Sequence, residues 1–211
     1  MVIDADLKSI TPEWIKHLGE PLFNGFSYVA PLYVRHKYDD TITNGIAYPI
    51  TRALYGRRVR QPIGGDFGFS GKLGQVYLKS KVWDEAVANF GIDIWMTTLA
   101  INQRVRICQS FMGRPKIHRT KDPGAHLGPM FRQVVHTLFV LMEQHESEWK
   151  AVRGSRTVPM FGLKKVMEPD PIKVDLGRLV NEFKTGFRQF RSLYQDILCI
   201  QVWDGKAREK R

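Results

Sequence analysis

Three observations predict an α/β fold for this 211-residue chain. A short apolar run, Met1-Val2-Ile3, leads into Asp4-Ala5-Asp6 and reads as the end of a buried strand. The middle of the chain alternates helix-like and strand-like segments. The last third carries two apolar stripes at helical spacing. A parallel sheet needs neighbouring strands joined by crossovers, so the chain is read as a Rossmann-type mixed sheet, truncated at the amino terminus and followed by a helical C-terminal region. The partial α/β domain is assigned to residues 1–125 and the helical region to 126–211. Residues 153–171, from Arg153 to Pro171, hold several prolines and glycines and are expected to be a linker.

Each element follows from local chemistry. Thr11 suits a helix cap, Pro12 the first turn and Glu13 the positive end of the dipole, so a helix starts here and stops near Asn24-Gly25. Phe26 to Val34 is rich in β-branched and aromatic residues and predicts a strand. Thr43 to Tyr55 predicts a helix interrupted at Pro49. The glycine-dense Gln61 to Ser70 permits close approach of backbone to a ligand. Helices are expected around Leu73 to Trp83 and from Phe90 to Ile101, and a strand from Arg104 to Met112. Leu127, Phe131, Val134, Leu138 and Met142 mark a helix running to Trp149, and Leu179, Phe183, Phe187 and Tyr194 mark another. These last helices suit either internal packing or a homodimer interface.

Composition narrows the function classes. No apolar run reaches the roughly 18 residues of a transmembrane helix, and acids stand where an export signal would have bases. Cys108 and Cys199 lack metal-ligand spacing and fit buried thiols in a reducing compartment, so a cytoplasmic location is expected. The net charge of +11 gathers in Arg57-Arg58-Val59-Arg60, Arg114 to Lys121 and Lys206 to Arg211. Such clusters attract phosphorylated substrates, nucleic acid or anionic membranes. No nucleic-acid-binding motif accompanies them, and nucleic acid is not expected as a partner.

Several residues carry chemistry with two readings each. Asp4 and Asp6 either present carboxylates to a divalent cation or cap a loop. Asp93 is an acid inside an apolar stretch, costly to bury unless paired or directed into a cleft; equally, it suits a helix N-terminus. Gly64-Gly65-Asp66 is either a turn or an acceptor-binding loop. His118, among Lys116, Arg119 and Lys121, reads by itself as a surface histidine.

Taken in order, Asp4-Ala5-Asp6-Leu7, Gln61-Pro62-Ile63-Gly64-Gly65-Asp66, Phe90-Gly91-Ile92-Asp93, Ile117-His118-Arg119-Thr120 and Leu127-Gly128-Pro129-Met130-Phe131-Arg132-Gln133-Val134 resemble the landmarks of one enzyme group. From about Val2 to Val135 the chain is similar to the carboxyl-terminal part of GT-A-fold retaining glycosyltransferases of the glucosyl-3-phosphoglycerate and mannosylglycerate synthase type.

The resemblance implies transfer of a hexose from a nucleoside-diphosphate sugar to a small hydroxylated acceptor, with retention and a divalent cation, Mg²⁺ or Mn²⁺. It assigns Asp4, Asp6 and His118 to the metal, Asp93 to orienting the substrate or acting as a base, and Arg119 to countering pyrophosphate charge. Gly64, Gly65, Asp66 and Asn44 fall in segments that meet the substrate. The chain alone is expected to be nearly inactive, because the nucleotide-binding part would precede it. One departure stands out. Where phosphoglycerate-using relatives carry an arginine for the acceptor's phosphate, this chain has Thr41 to Tyr48 with Ile46, leaving Arg52, Arg57 or Arg58 to supply a guanidinium. A non-catalytic remnant, or an interaction module that binds an anionic membrane or nucleic acid through its basic surface, is the alternative reading.

Overall fold

The computed structural model describes residues 1–80, 84–117, 123–163, 168–169 and 171–197. The chain divides into two compact units, Met1–Pro171 and Ile172–Arg211.

The first unit is α/β, built on a four-stranded mixed sheet of order β2-β1-β3-β4. Strand β1 (Tyr28–Val34) lies parallel to β3 (Ile107–Pro115) and antiparallel to the two-residue β2 (Gly68–Phe69), and β4 (Met160–Phe161) runs parallel to β3. Alternate residues of β1 serve opposite faces, as a period of two requires. Tyr28 and Ala30 enter a cluster with Phe67, Leu73, Trp95 and Ile107. Val29 and Tyr33 enter a second with Cys108, Met112, Trp14 and Leu18. The last two belong to helix α1 (Pro12–Phe23), whose buried residues Trp14, Leu18 and Pro21 recur at helical spacing and seal one side of the sheet.

The other side is covered by helices. Thr43–Ala47 makes a π-helical turn that runs into α2 (Tyr48–Tyr55), so the irregularity expected at Pro49 falls just before it, where the ring is tolerated in a first turn. Helix α3 (Gly71–Lys79) starts where the Ser70 hydroxyl accepts from the Leu73 N–H. Helix α4 (Ile92–Asn102) is buried at every position from Ile94 to Ile101, apolar all round because sheet and helices enclose it. Burial also pushes the Cys108 thiol up to about 12, so it packs as a small apolar side chain.

Three sequence expectations need correction. Val2 does not sit in a buried strand: it makes one antiparallel bridge with Phe67 and stays 37% exposed, since one rung on one edge cannot cover it. The helix expected from Leu127 to Trp149 is two, α5 (Pro123–Gln144) and α6 (Glu146–Lys150), because His145 leaves helical geometry at φ −113°. Within the expected linker, residues 156–161 return to the sheet through an Arg57 to Arg156 bridge, buried Val158 and β4. A strand of two residues carries too little alternation to register as one.

The second unit holds α7 (Leu176–Gln189), capped by the Asp175 carboxylate accepting from the Arg178 N–H, and α8 (Arg191–Ile197). By itself it buries no residue of either helix. Its aromatic side chains stack along one stripe, Phe183 on Phe187 at 6.0 Å and Phe187 on Tyr194 at 5.7 Å.

Candidate active site

The parallel strands β1 and β3 end together at Val34 and Pro115, and the residues that follow them, Arg35 and Lys116, line one cavity of about 460 Å³. Carboxyl edges of open α/β sheets are where ligands bind, because loops diverge there. The segment after Asp4 is tied to the same edge: the Lys8 N–H donates to Ile117 O at 2.9 Å and the Ile117 N–H to the Ser9 hydroxyl at 2.9 Å. Asp4 and Lys116, 112 positions apart in sequence, therefore meet.

Lys116 is the hub. Its Nζ lies 2.7 Å from Asp4 Oδ2, 2.8 Å from Asp66 Oδ2 and 2.7 Å from Gly64 O, with its side chain 2% exposed. A buried ammonium is tolerable when its donors are filled, and here two carboxylates and a carbonyl fill all three. Asp66, fully buried, is satisfied in turn: Oδ1 accepts from the Asp4 N–H at 2.9 Å, and Oδ2 also accepts from the Tyr33 hydroxyl. Burial, and then the Asp66 charge, hold the Tyr33 hydroxyl protonated well above its usual range.

Asp93 stands on the cavity wall in the first turn of α4, with Oδ2 accepting from the Gly65 N–H at 2.7 Å. The helix-start and cleft readings thus hold together. Burial, followed by repulsion from Asp4, pushes its carboxyl up to about 7, against the opposing pull of Lys116 and the Gly65 N–H. Gly65 makes this contact at φ +75°, and a Cβ there would lie 2.1 Å from Asp4 Oδ2 and 2.5 Å from Lys116 Nζ. Only glycine lets this backbone turn inside the charge cluster.

Asp4, Gly64, Gly65 and Asp93, four of the residues singled out from sequence, share this cavity. Asp66 faces inward behind them and does not line it. Asn44 is also off the wall: its amide donates to Asp39 O at 3.3 Å and holds the loop before the π-helical turn. Asp6 lies half-buried on the turn after Asp4, also outside the cavity lining. His118 and Arg119 fall outside the described residues.

A divalent cation does not fit the described residues by themselves. Among them no group of three or more His, Cys, Asp or Glu could hold a metal ion. Asp4 Oδ2 is already engaged by Lys116 Nζ at 2.7 Å.

Sequence reasoning passed over Lys116, Tyr33 and Arg35. For Arg35 the available signal was positional, since it follows directly on the strand expected to end at Val34; Lys116 lies beyond the strand expected to end at Met112, which in the structure runs on to Pro115. Arg35 sits on the wall between Asp39, 3.1 Å from its Nη1, and Asp40, 3.7 Å from its Nε, over the Tyr33 ring. The guanidiniums expected from sequence are elsewhere: Arg52 and Arg58 donate to the Ser155 hydroxyl, and neither they nor Arg57 line this cavity.

A second cleft, of about 880 Å³, lies between α1 and the end of β3, with the Lys16–Glu20 pair on its wall.

No protein-family model matches the chain, and no curated protein does. Among solved structures, the chain is similar to glucosyl-3-phosphoglycerate synthase from Mycobacterium tuberculosis, in a crystal structure with Mn²⁺, uridine diphosphate and phosphoglyceric acid. The identity is 24% and the TM-score 0.49, over 66% of this chain and 46% of that one. The chain spans about half the length of that synthase.

Proposed function

We propose that this chain carries the acceptor-facing part of a hexosyltransferase that uses a nucleoside-diphosphate sugar, retains anomeric configuration and acts on a small hydroxylated acceptor. The observation that carries the reading is convergence: Asp4, Gly64-Gly65 and Asp93, drawn from three separate motifs of the sequence resemblance, line one cavity at the carboxyl edge of β1 and β3.

Asp93 receives the acceptor. With Oδ2 anchored on the Gly65 N–H and a carboxyl that titrates near pH 7, it holds an acceptor hydroxyl and takes its hydrogen bond in the ionised form. Lys116 keeps Asp4 and Gly64 in place, so the loop opposite Asp93 is preorganised. Arg35 offers the cavity a guanidinium for an anionic group on the acceptor, the role that Ile46 cannot fill. In a retaining transfer the departing phosphate oxygen deprotonates the acceptor on the same face, and no protein nucleophile is required. The reading keeps a divalent cation on Asp4, Asp6 and His118; Mn²⁺ or Mg²⁺ there would neutralise the leaving diphosphate.

The test is calorimetric titration of Mn²⁺ and a panel of nucleoside-diphosphate hexoses into a protein that contains this chain together with a nucleotide-binding part. Donor binding that needs the metal, lost in Asp6→Ala with the fold intact, supports the reading. Absence of binding, or undiminished binding in Asp6→Ala, overturns it. Where turnover is measurable, kcat should rise through about pH 7 and lose that inflection in Asp93→Asn.

A further inference from the structure

The molecule holds a second cationic feature that the cavity does not use. Helix α2 ends at Gly56 in the left-handed conformation at φ +63°, and a Cβ there would lie 2.6 Å from Gly154 O. This close approach clamps the loop after α6 onto the segment after α2. The Arg156 N–H donates to Gly56 O at 2.9 Å and the Arg58 N–H to Arg156 O at 3.0 Å. The clamp aims two side chains at one atom: Arg52 Nε at 3.4 Å and Arg58 Nε at 3.1 Å both donate to the Ser155 hydroxyl oxygen. Beside them lies a hollow of about 390 Å³ lined by Pro49, Arg52, Ala53, Gly154 and Ser155.

No described carboxylate balances these charges. Among the described residues, Arg52, Arg57, Arg58 and Arg156 make no ion pair. The acids of neighbouring α6 are engaged elsewhere, Glu146 by Lys150 and Glu148 by Ser147 and His145. Arg60 and Arg153 are also occupied, stacked on Tyr48 and bonded to Lys150 O. Two guanidiniums converging on one neutral hydroxyl keep their outer N–H groups for a ligand. Planar donor forks of this kind match the oxygens of a phosphate.

We propose that Arg52, Arg58 and Ser155 form a binding site for the phosphate group of a small phosphorylated molecule, separate from the cavity at Asp93. The site shares no lining residue with that cavity, and it stands whether or not the transferase reading does.

Calorimetric titration with inorganic phosphate and with phenyl phosphate, in low-salt buffer, tests it. The unmodified chain should show saturable binding. Arg52→Gln/Arg58→Gln should weaken it about 10- to 100-fold, the loss expected for charge-assisted hydrogen bonds, whereas Arg114→Gln, an exposed arginine elsewhere, should not. Circular dichroism shows whether each variant is folded, and all three positions are exposed. No saturable binding below about 10 mM, or equal weakening by Arg114→Gln, overturns the site. Attachment to phosphatidylserine vesicles or to duplex DNA without saturable phosphate binding overturns it too, in favour of a diffuse basic surface.

Discussion

Lys116 and the Arg52–Arg58 pair are both cationic, yet the fold treats them in opposite ways. Lys116 is buried and its charge is answered by two carboxylates and a carbonyl. Arg52 and Arg58 are exposed, and their nearest described partner is a neutral hydroxyl. A buried charge without partners would cost several kcal/mol, so the interior site had to be complete within the chain. An exposed guanidinium keeps its water, and the surface site can wait for a ligand. The difference separates charges that build the molecule from charges left over for recognition.

Removing the buried cation breaks that contrast most sharply. Lys116→Met leaves Asp4 and Asp66 facing each other uncompensated and should cost about 3–5 kcal/mol in thermal or urea unfolding; a loss under about 1 kcal/mol would mean that Lys116 does not hold the loops together.

Next in size is Asp93. Its folded carboxyl, pushed to about 7 from an ordinary 3.8, holds its proton more tightly than the unfolded chain does. The stability this adds is complete below the unfolded value and is lost as pH rises through about 7. Asp93→Asn should therefore gain stability over the unmodified chain as pH climbs, by as much as about 4 kcal/mol at pH 8. A constant difference between pH 4 and pH 8 would show that the carboxyl is not perturbed.

Gly65→Ala sharpens the comparison by disturbing geometry while keeping every charge. The positive φ and the close contacts with Asp4 and Lys116 predict a loss of about 1–3 kcal/mol. A variant as stable as the parent would place the loop elsewhere. Smallest of all, Arg52→Gln/Arg58→Gln should leave stability within about 0.5 kcal/mol, a null result that only the surface member of the comparison should give.

Much of the framework was legible from local pattern. The β-branched and aromatic run ending at Val34, the Thr11-Pro12 helix start and the apolar stretch after Phe90 became β1, α1 and α4, because each decision is made within a few residues. Asp93 and the Gly64-Gly65 pair were noticed for the same reason: an acid in an apolar run and paired glycines are locally unusual. Lys116 was hidden in a basic run, where nothing in the sequence marks its side chain as buried. Likewise β4, two residues long, exists only because β3 offers it an edge.

The sequence by itself determined the α/β class, the order of the main elements α1, β1, α4 and β3, and the presence of an excess of positive charge, since these depend on composition and on periods of 2 and 3.6 residues. Tertiary structure alone decided how that charge is divided. Joining Asp4 to Lys116 across 112 positions requires the parallel pairing of β1 and β3, and joining Arg52 to Ser155 requires the clamp between Gly56 and Gly154. Whether a cation is buried and answered or exposed and left open is a matter of its neighbours in space, and sequence order does not carry that distance.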